Sequence, residues 1–165
     1  VHHRFEVRVM LTAQVEDLNE ASLEELKPLL PTHYDELSEH KAAGIPLDPQ
    51  FGLYLARAAA GQVMYVTLRE EGRLTGYLVS FVVPGMHYQS CLTATTDIFF
   101  VTPDLRGLSG GKLLFEAWKK ECARRGVHLM QIGIKTRHAK YATPLIEGAG
   151  FKATELMFWQ FLDKD

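Results

Sequence analysis

From Phe5 to Thr12 apolar and polar residues alternate, with Phe5, Val7, Val9 and Leu11 set against Glu6 and Arg8. That period of two predicts a half-buried strand. Ser22 with Glu25 three residues on predicts a capping box opening SLEELKPLL. Pro28 and Pro31 are expected to break that helix, and HYDELSEH to restart it. Asp48 followed by Pro49 predicts an N-cap and a first helical proline, so PQFGLYLARAAA reads as a helix closed by Gly61. Val63 to Arg69 and Leu74 to Val83 are β-branched and aromatic runs joined by a turn through EEGR, a hairpin. A third run, Leu92 to Val101, ends at Pro103. Lys112 to Arg125 carries Leu114, Ala117, Trp118 and Cys122 on one helical stripe, with Gly126 as its stop. His128 to Ile134 is strand-like, Ala139 to Glu147 helical, and Phe151 to Phe161 strand-like again. The order β-α-α-β-β-β-α-β-α-β predicts an α/β chain of the α+β type, a mixed sheet with helices on both faces.

Composition narrows the class without naming a function. The 165 residues are 47% apolar and 23% charged, values that exclude disorder and low complexity and suit one domain over 1–165. A net charge of −2, with Lys and Arg spread along the chain, argues against a nucleic-acid partner. No apolar run is long enough to span a bilayer and no signal peptide is recognisable at the N-terminus, so no membrane partner is expected. The two cysteines, Cys91 and Cys122, form no CxxC pair, as expected of a reduced, cytoplasmic chain.

The chemistry concentrates in FFVTPDLRGLSGGKLLFEAW, Phe99 to Trp118. A strand runs into Pro103, crosses a glycine-rich turn and delivers a helix near Gly110. Unpaired N–H groups at a helix start, reinforced by the helix dipole, make an anion cradle. Gly107, Gly110 and Gly111 would let a phosphate approach the backbone, and Arg106 and Lys112 add positive charge. A phosphate or pyrophosphate is the expected ligand. A nucleotide P-loop does not fit, because Gly107 to Gly111 is one residue short and Leu113 replaces the magnesium-binding hydroxyl. The dinucleotide fingerprint GxGxxG is also absent.

Val101, Pro103, Arg106, Gly107 and Gly111, followed by Lys112 and Leu113–Leu114, resemble motif A of the GNAT superfamily of acyl-CoA-dependent N-acyltransferases, including its small bacterial and phage members. LIEGAGF, Leu145 to Phe151, resembles the family segment where a helix ends and the final strands begin. The resemblance implies a mixed, mostly antiparallel sheet and acetyl transfer from acetyl-CoA, as co-substrate, to an amine in a ternary complex, with no metal. It places the coenzyme pyrophosphate on the amides of Arg106, Gly107, Leu108, Ser109, Gly110, Gly111 and Lys112. It places the thioester and pantetheine on amides of Phe99, Phe100 and Val101. Two positions depart from the family: Ser109 replaces the middle glycine, and Ile146 stands where many members carry the tyrosine that protonates the thiolate. At Ser109 a negative φ is expected, with Gly110 taking the unusual dihedral.

Acyl transfer needs a base for the amine, donors for the oxyanion and an acid for the thiolate. Asp97 is the acidic residue of Leu92–Val101, and alternation places it with Thr95, Phe99 and Val101. A half-desolvated carboxylate there would serve as base; a salt bridge to Arg69 or Arg73 is the structural alternative. Tyr141 and His138 are the candidate acids, with solvent as the third source. His33, Glu36 and His40 share a helix face at ligand spacing, but no fourth ligand accompanies them and a solvated face is the better reading. By resemblance His33, Tyr34, Asp35 and Glu36 would line the acceptor wall. Cys122 reads as core, and Trp159 and Phe161 as core or homodimer interface. The rival function is a CoA-binding or interaction module that keeps the fold and lacks the chemistry, which Ile146 favours.

Overall fold

The computed structural model describes residues 10–37 and 39–162. Among the described residues five strands form one sheet in the order β1 (Leu11–Glu16), β2 (Val63–Glu70), β3 (Arg73–Gly85), β4 (Tyr88–Val101) and β5 (Leu129–Gln131). The first four run antiparallel and β5 runs parallel to β4, so the sheet is mixed and mostly antiparallel. Helices α1 (Glu20–Leu26), α2 (Leu30–Leu37), α3 (Glu39–Ala42) and α4 (Phe51–Ala59) precede β2. Helix α5 (Gly110–Arg124) crosses from β4 to β5, and α6 (Ala139–Gly148) follows.

The two faces of the sheet bury separate cores. Met64, Val66, Leu68, Leu78, Val82 and Ala94 pack on Leu114, Phe115 and Trp118 of α5. Tyr65, Tyr77, Val79 and Phe100 pack on Leu23 and Leu26 of α1 and on Phe51, Tyr54 and Leu55 of α4. Period-two alternation in β2 and β3 produces this division directly. The β2–β3 hairpin turns through Glu71 and Gly72, both at positive φ (49° and 87°), as two-residue hairpins require.

Several local expectations are corrected. The first strand is described only from Leu11, since Phe5 to Val9 lie outside the described residues. The capping box sits three residues earlier than expected: Ser22 N donates to Asn19 Oδ1 and Asn19 N to Ser22 Oγ. The first α-helix ends at Leu26, ahead of Pro28 as expected, but the restart comes at Leu30 rather than at HYDELSEH. Lys27–Leu29 tighten into a 3-10 turn that leads straight into α2, where Pro31 occupies the first turn and no N–H is needed. Gln50, not Asp48, precedes α4, and no side chain caps it. Helix α5 begins at Gly110, where the glycine turn was expected to deliver it, and Gly126 ends it at φ 73°. The strand expected over His128–Ile134 shrinks to three residues, and none forms over Phe151–Phe161. Phe151 stacks on Trp118 at 6.0 Å, but Leu156, Met157, Phe158 and Leu162 stay exposed. A run of apolar residues can suggest a strand; it cannot supply the neighbour that a strand needs.

Candidate functional site

The sheet splits where the site begins. Strands β4 and β5 pair only over Thr93–Thr95 and Leu129–Gln131, and Thr96 Oγ1 donates to the Gln131 carbonyl. Beyond that point β4 continues to Val101, pairing with β3 on one side alone among the described residues. Alternate backbone groups of residues 96–101 therefore face the gap left by β5.

At the end of β4 the glycine turn leads into α5. Pro103–Leu105 form a 3-10 turn, Gly107 takes φ 82°, and Ser109 is the residue before the helix. Contrary to expectation, Ser109 itself adopts the left-handed conformation at φ 52°, and Gly110 does not. Gly110 and Gly111 serve close packing instead. A Cβ on Gly110 would lie 2.7 Å from Leu68 Cδ2, and one on Gly111 2.8 Å from Leu145 Cδ2. Around Gly107 a Cβ would meet nothing within 4 Å, so this part of the loop is open. The first i→i−4 bond of the helix runs from Leu113 N to Ser109 O (3.0 Å). Helix geometry leaves the amides of Gly110, Gly111 and Lys112 without intrahelical acceptors. Leu108 is half exposed beside them.

The two basic flanks behave differently. Arg106 Nε donates to Val101 O (2.9 Å), its guanidinium pairs with Glu36 of α2, and it lies over the Phe100 ring (5.5 Å). It fastens the loop to α2. Lys112 is exposed and lies 3.7 Å from Glu116. Phe99 stacks on Phe115 (5.0 Å), while Phe100 and Val101 are buried.

A β-bulge places Asp97 off the expected face. Ile98 pairs with Val79 and Thr96 with Ser80, so Asp97 is the extra residue and the parity of β4 changes there. Ala94 and Val101 both pack toward α5, although their numbers differ in parity. Asp97 is exposed, not half-desolvated, and neither Arg69 nor Arg73 meets it. Arg69 binds Glu16 and Glu25, and Arg73 binds Glu70. Its partner is Tyr54 of α4, whose hydroxyl donates to Asp97 Oδ2. Burial, then that bond, pushes the Tyr54 phenol well above its ordinary pKa. Sequence reasoning missed Tyr54; its signal was a phenol on the partly buried stripe Phe51, Tyr54, Leu55, Ala58 of α4.

The α1–α4 side encloses a cleft of about 390 Å³ walled by Leu23, Leu26, Leu30, Phe51, Val79 and Ile98. Tyr54, Tyr34, His33 and His40 also line it. His33 is 5% exposed, stacked on Phe100 (4.9 Å), with Nδ1 2.7 Å from the Tyr77 hydroxyl oxygen and Nε2 without a partner among the described residues. Burial lowers its pKa to about 4. Glu36 is taken by Arg106, and His40 packs on Trp159 and Phe161 (5.4 Å each), so the three residues drawn on one helix face do not converge. Asp35 binds Lys41, and Tyr34 donates to the Ile45 carbonyl.

The candidate acids lie apart. His138 Nε2 is 3.4 Å from the Glu36 carbonyl oxygen, whereas Tyr141 is 77% exposed on α6. Ile146 packs against the α5 core.

No family model matches the sequence, and no curated protein matches it. Solved structures do. The chain has the GNAT fold, the architecture shared by a large class of acetyltransferases. An aminoglycoside acetyltransferase from an uncultured soil metagenomic sample, in complex with sisomicin, superposes with a TM-score of 0.71 at 14% identity, over 93% of this chain and 97% of that one. The ribosomal-protein-alanine N-acetyltransferase of Brucella melitensis superposes with a TM-score of 0.68 at 14% identity, over 93% and 100%. An aminoglycoside N-acetyltransferase in complex with CoA gives 0.68 at 15% identity, over 96% and 99%.

Proposed function

We propose that this chain, as one cytoplasmic domain over 1–165, is an N-acetyltransferase that transfers the acetyl group of acetyl-CoA directly to an amine acceptor. The observation that supports it most is the coincidence of two features along β4: the strand loses β5 as a neighbour after Thr95, and the open first turn of α5 follows its end at Val101 within ten residues. The free edge of Phe99–Val101 suits an extended pantetheine arm and a thioester carbonyl. Arg106 N and Leu108 N are spent on the Pro103 and Leu105 carbonyls, so of the expected Arg106–Lys112 run the amides of Gly110, Gly111 and Lys112, beside the open Gly107, suit a pyrophosphate. With Arg106 committed to Glu36, the cradle works through main-chain donors and Lys112. Acetyl-CoA supplies an activated acyl carbon with a thiolate leaving group.

The acceptor enters the cleft between the sheet and α1–α4. Its nitrogen attacks the thioester carbonyl carbon, a C–N bond forms, the C–S bond breaks, and the amine proton passes to Asp97. Tyr54 acts as a positioning residue, fixing the Asp97 carboxylate through its hydrogen bond. The departing thiolate takes its proton from His138, Tyr141 or solvent. Calorimetry with CoA and acetyl-CoA, followed by thiol release with a panel of amines, tests this. Binding in the micromolar range is expected, with a drop of about 10²–10⁴-fold in turnover for Asp97→Asn. Ile146 in the core favours a second reading, a CoA-binding module without catalysis. Equal, negligible turnover of wild type and Asp97→Asn, with CoA bound by both, would select it.

A further inference from the structure

The cleft beside the bulge contains one polar group that its own walls leave unsatisfied, and that group constrains what fills it. His33 lines the cleft, and its buried Nε2 has no hydrogen-bond partner among the described residues, while Nδ1 is held by Tyr77. Tyr77 is itself fully buried, and its hydroxyl has one hydrogen to place. If Nδ1 carried the imidazole proton, the phenol hydrogen would have no acceptor among the described residues. The phenol therefore donates to Nδ1, and the histidine keeps its hydrogen on Nε2. A buried, unpaired N–H is costly, so an occupant that accepts from it is favoured over one that cannot.

The rest of the wall sets the occupant's body. Leu23, Leu26, Leu30, Phe51, Val79 and Ile98 offer apolar surface. Among the described residues lining the cleft, the carboxylate is Asp48 and the ammonium is Lys135, which pairs with Glu39 at 3.2 Å. A polycation would need several carboxylates and finds Asp48 on the wall and Asp97 beside it, held by Tyr54. Glu36 and Arg106, paired with each other, reach that ring with opposite signs, so the wall offers an anionic oxygen no net positive charge. A long acyl chain would suit the walls but would leave Nε2–H unpaired at its methyl end.

We propose that the acceptor is a primary amine on an apolar body bearing one uncharged hydrogen-bond-accepting oxygen, which His33 Nε2–H recognises. This rests on the reading of the cleft as the acceptor site. The test uses matched pairs that differ by one oxygen: tyramine against phenethylamine, and 6-amino-1-hexanol against hexylamine. Spermidine serves as the polycation and octanoyl-CoA as the long-chain donor. Calorimetric binding to the protein alone and to its CoA complex is measured with kcat/KM for acetyl transfer.

The expected result is a preference of about tenfold or more for the oxygen-bearing member of at least one pair. That preference should fall to within about twofold in His33→Phe, a variant that retains the stack on Phe100. Should His33→Phe fail to fold because the Tyr77 hydroxyl loses its partner, the double variant His33→Phe/Tyr77→Phe removes both polar groups together. The proposal is overturned if no pair shows the preference, if the preference survives the His33 change, or if spermidine is the better acceptor. It is also overturned if octanoyl transfer outruns acetyl transfer and octanoyl-CoA blocks amine binding. Absence of CoA binding would remove the enzyme reading, and the amine pairs titrated into the free protein would still decide this one.

Discussion

At Ser109 the backbone accepts a left-handed conformation that costs a non-glycine residue roughly 1–2 kcal/mol. The fold tolerates this because Gly110 and Gly111 have no room to change: their neighbours Leu68 and Leu145 fix the path of the first helical turn. The glycine cluster was legible in the sequence, but which member served torsion and which served packing depended on residues far away in the chain. Asp97 teaches the same lesson. Its residue type marked it, while its face was set by a bulge that no alternation rule anticipates. His33 carries a pH consequence at this scale. Desolvation lowers its folded pKa from 6.5 to about 4, with Glu36 opposing and Arg106 assisting. The unfolded chain then binds the extra proton between those values, so stability is complete above about pH 6.5 and falls as pH drops toward 4. The loss amounts to roughly 3 kcal/mol. Urea titrations from pH 7 to 4 should show that slope in wild type and a flatter one in His33→Phe.

Between elements, the chain relies on a few side chains that sequence alone cannot pair. Arg69 of β2 reaches Glu16 of β1 through Nε and Nη2 (2.9 Å each) and Glu25 of α1 through Nη1 (2.6 Å) and Nη2 (2.9 Å). It also donates to the Gly72 carbonyl in the hairpin turn (2.9 Å). Three elements and a turn thus share one guanidinium, which holds both carboxyls below their ordinary pKa. Arg69→Ala is expected to cost about 1–3 kcal/mol in chemical denaturation, since it leaves the part-buried Glu16 carboxylate uncompensated and releases the exposed Glu25. Arg69→Lys should recover less than half, because an ammonium cannot replace the fork. The elements themselves were largely readable: the hairpin, α4, α5 and α6 follow from periodicity and glycine stops. Helix starts were less so, because Asn19 and Ser22 cap α1 from positions that compete with Ser22 and Glu25 by the same rule. The segment after Phe151 was misread because strand formation is decided by a partner, and β5 offers three residues.

Over the whole molecule, one continuous sheet separates two cores, and its split edge lies between them. Ligands that enter the split bind the folded chain alone, so they add to its stability by mass action. At a hundredfold excess over Kd the gain is about 2.7 kcal/mol, or about 5–10 °C for a chain of this size. Acetyl-CoA should raise Tm by that amount, and a Gly111→Val change, which drives a side chain into Leu145, should abolish the increase. The chain's two tryptophans occupy opposite situations. Trp118 is sealed beneath the sheet, its indole N–H on Ser80 Oγ (2.9 Å). Trp159 sits half exposed with the Lys135 ammonium 3.4 Å from its ring centroid, and Lys135 borders the cleft. Any molecule that displaces that ammonium alters the surroundings of one indole and leaves the other untouched, so the protein carries its own fluorescent witness to who occupies the cleft.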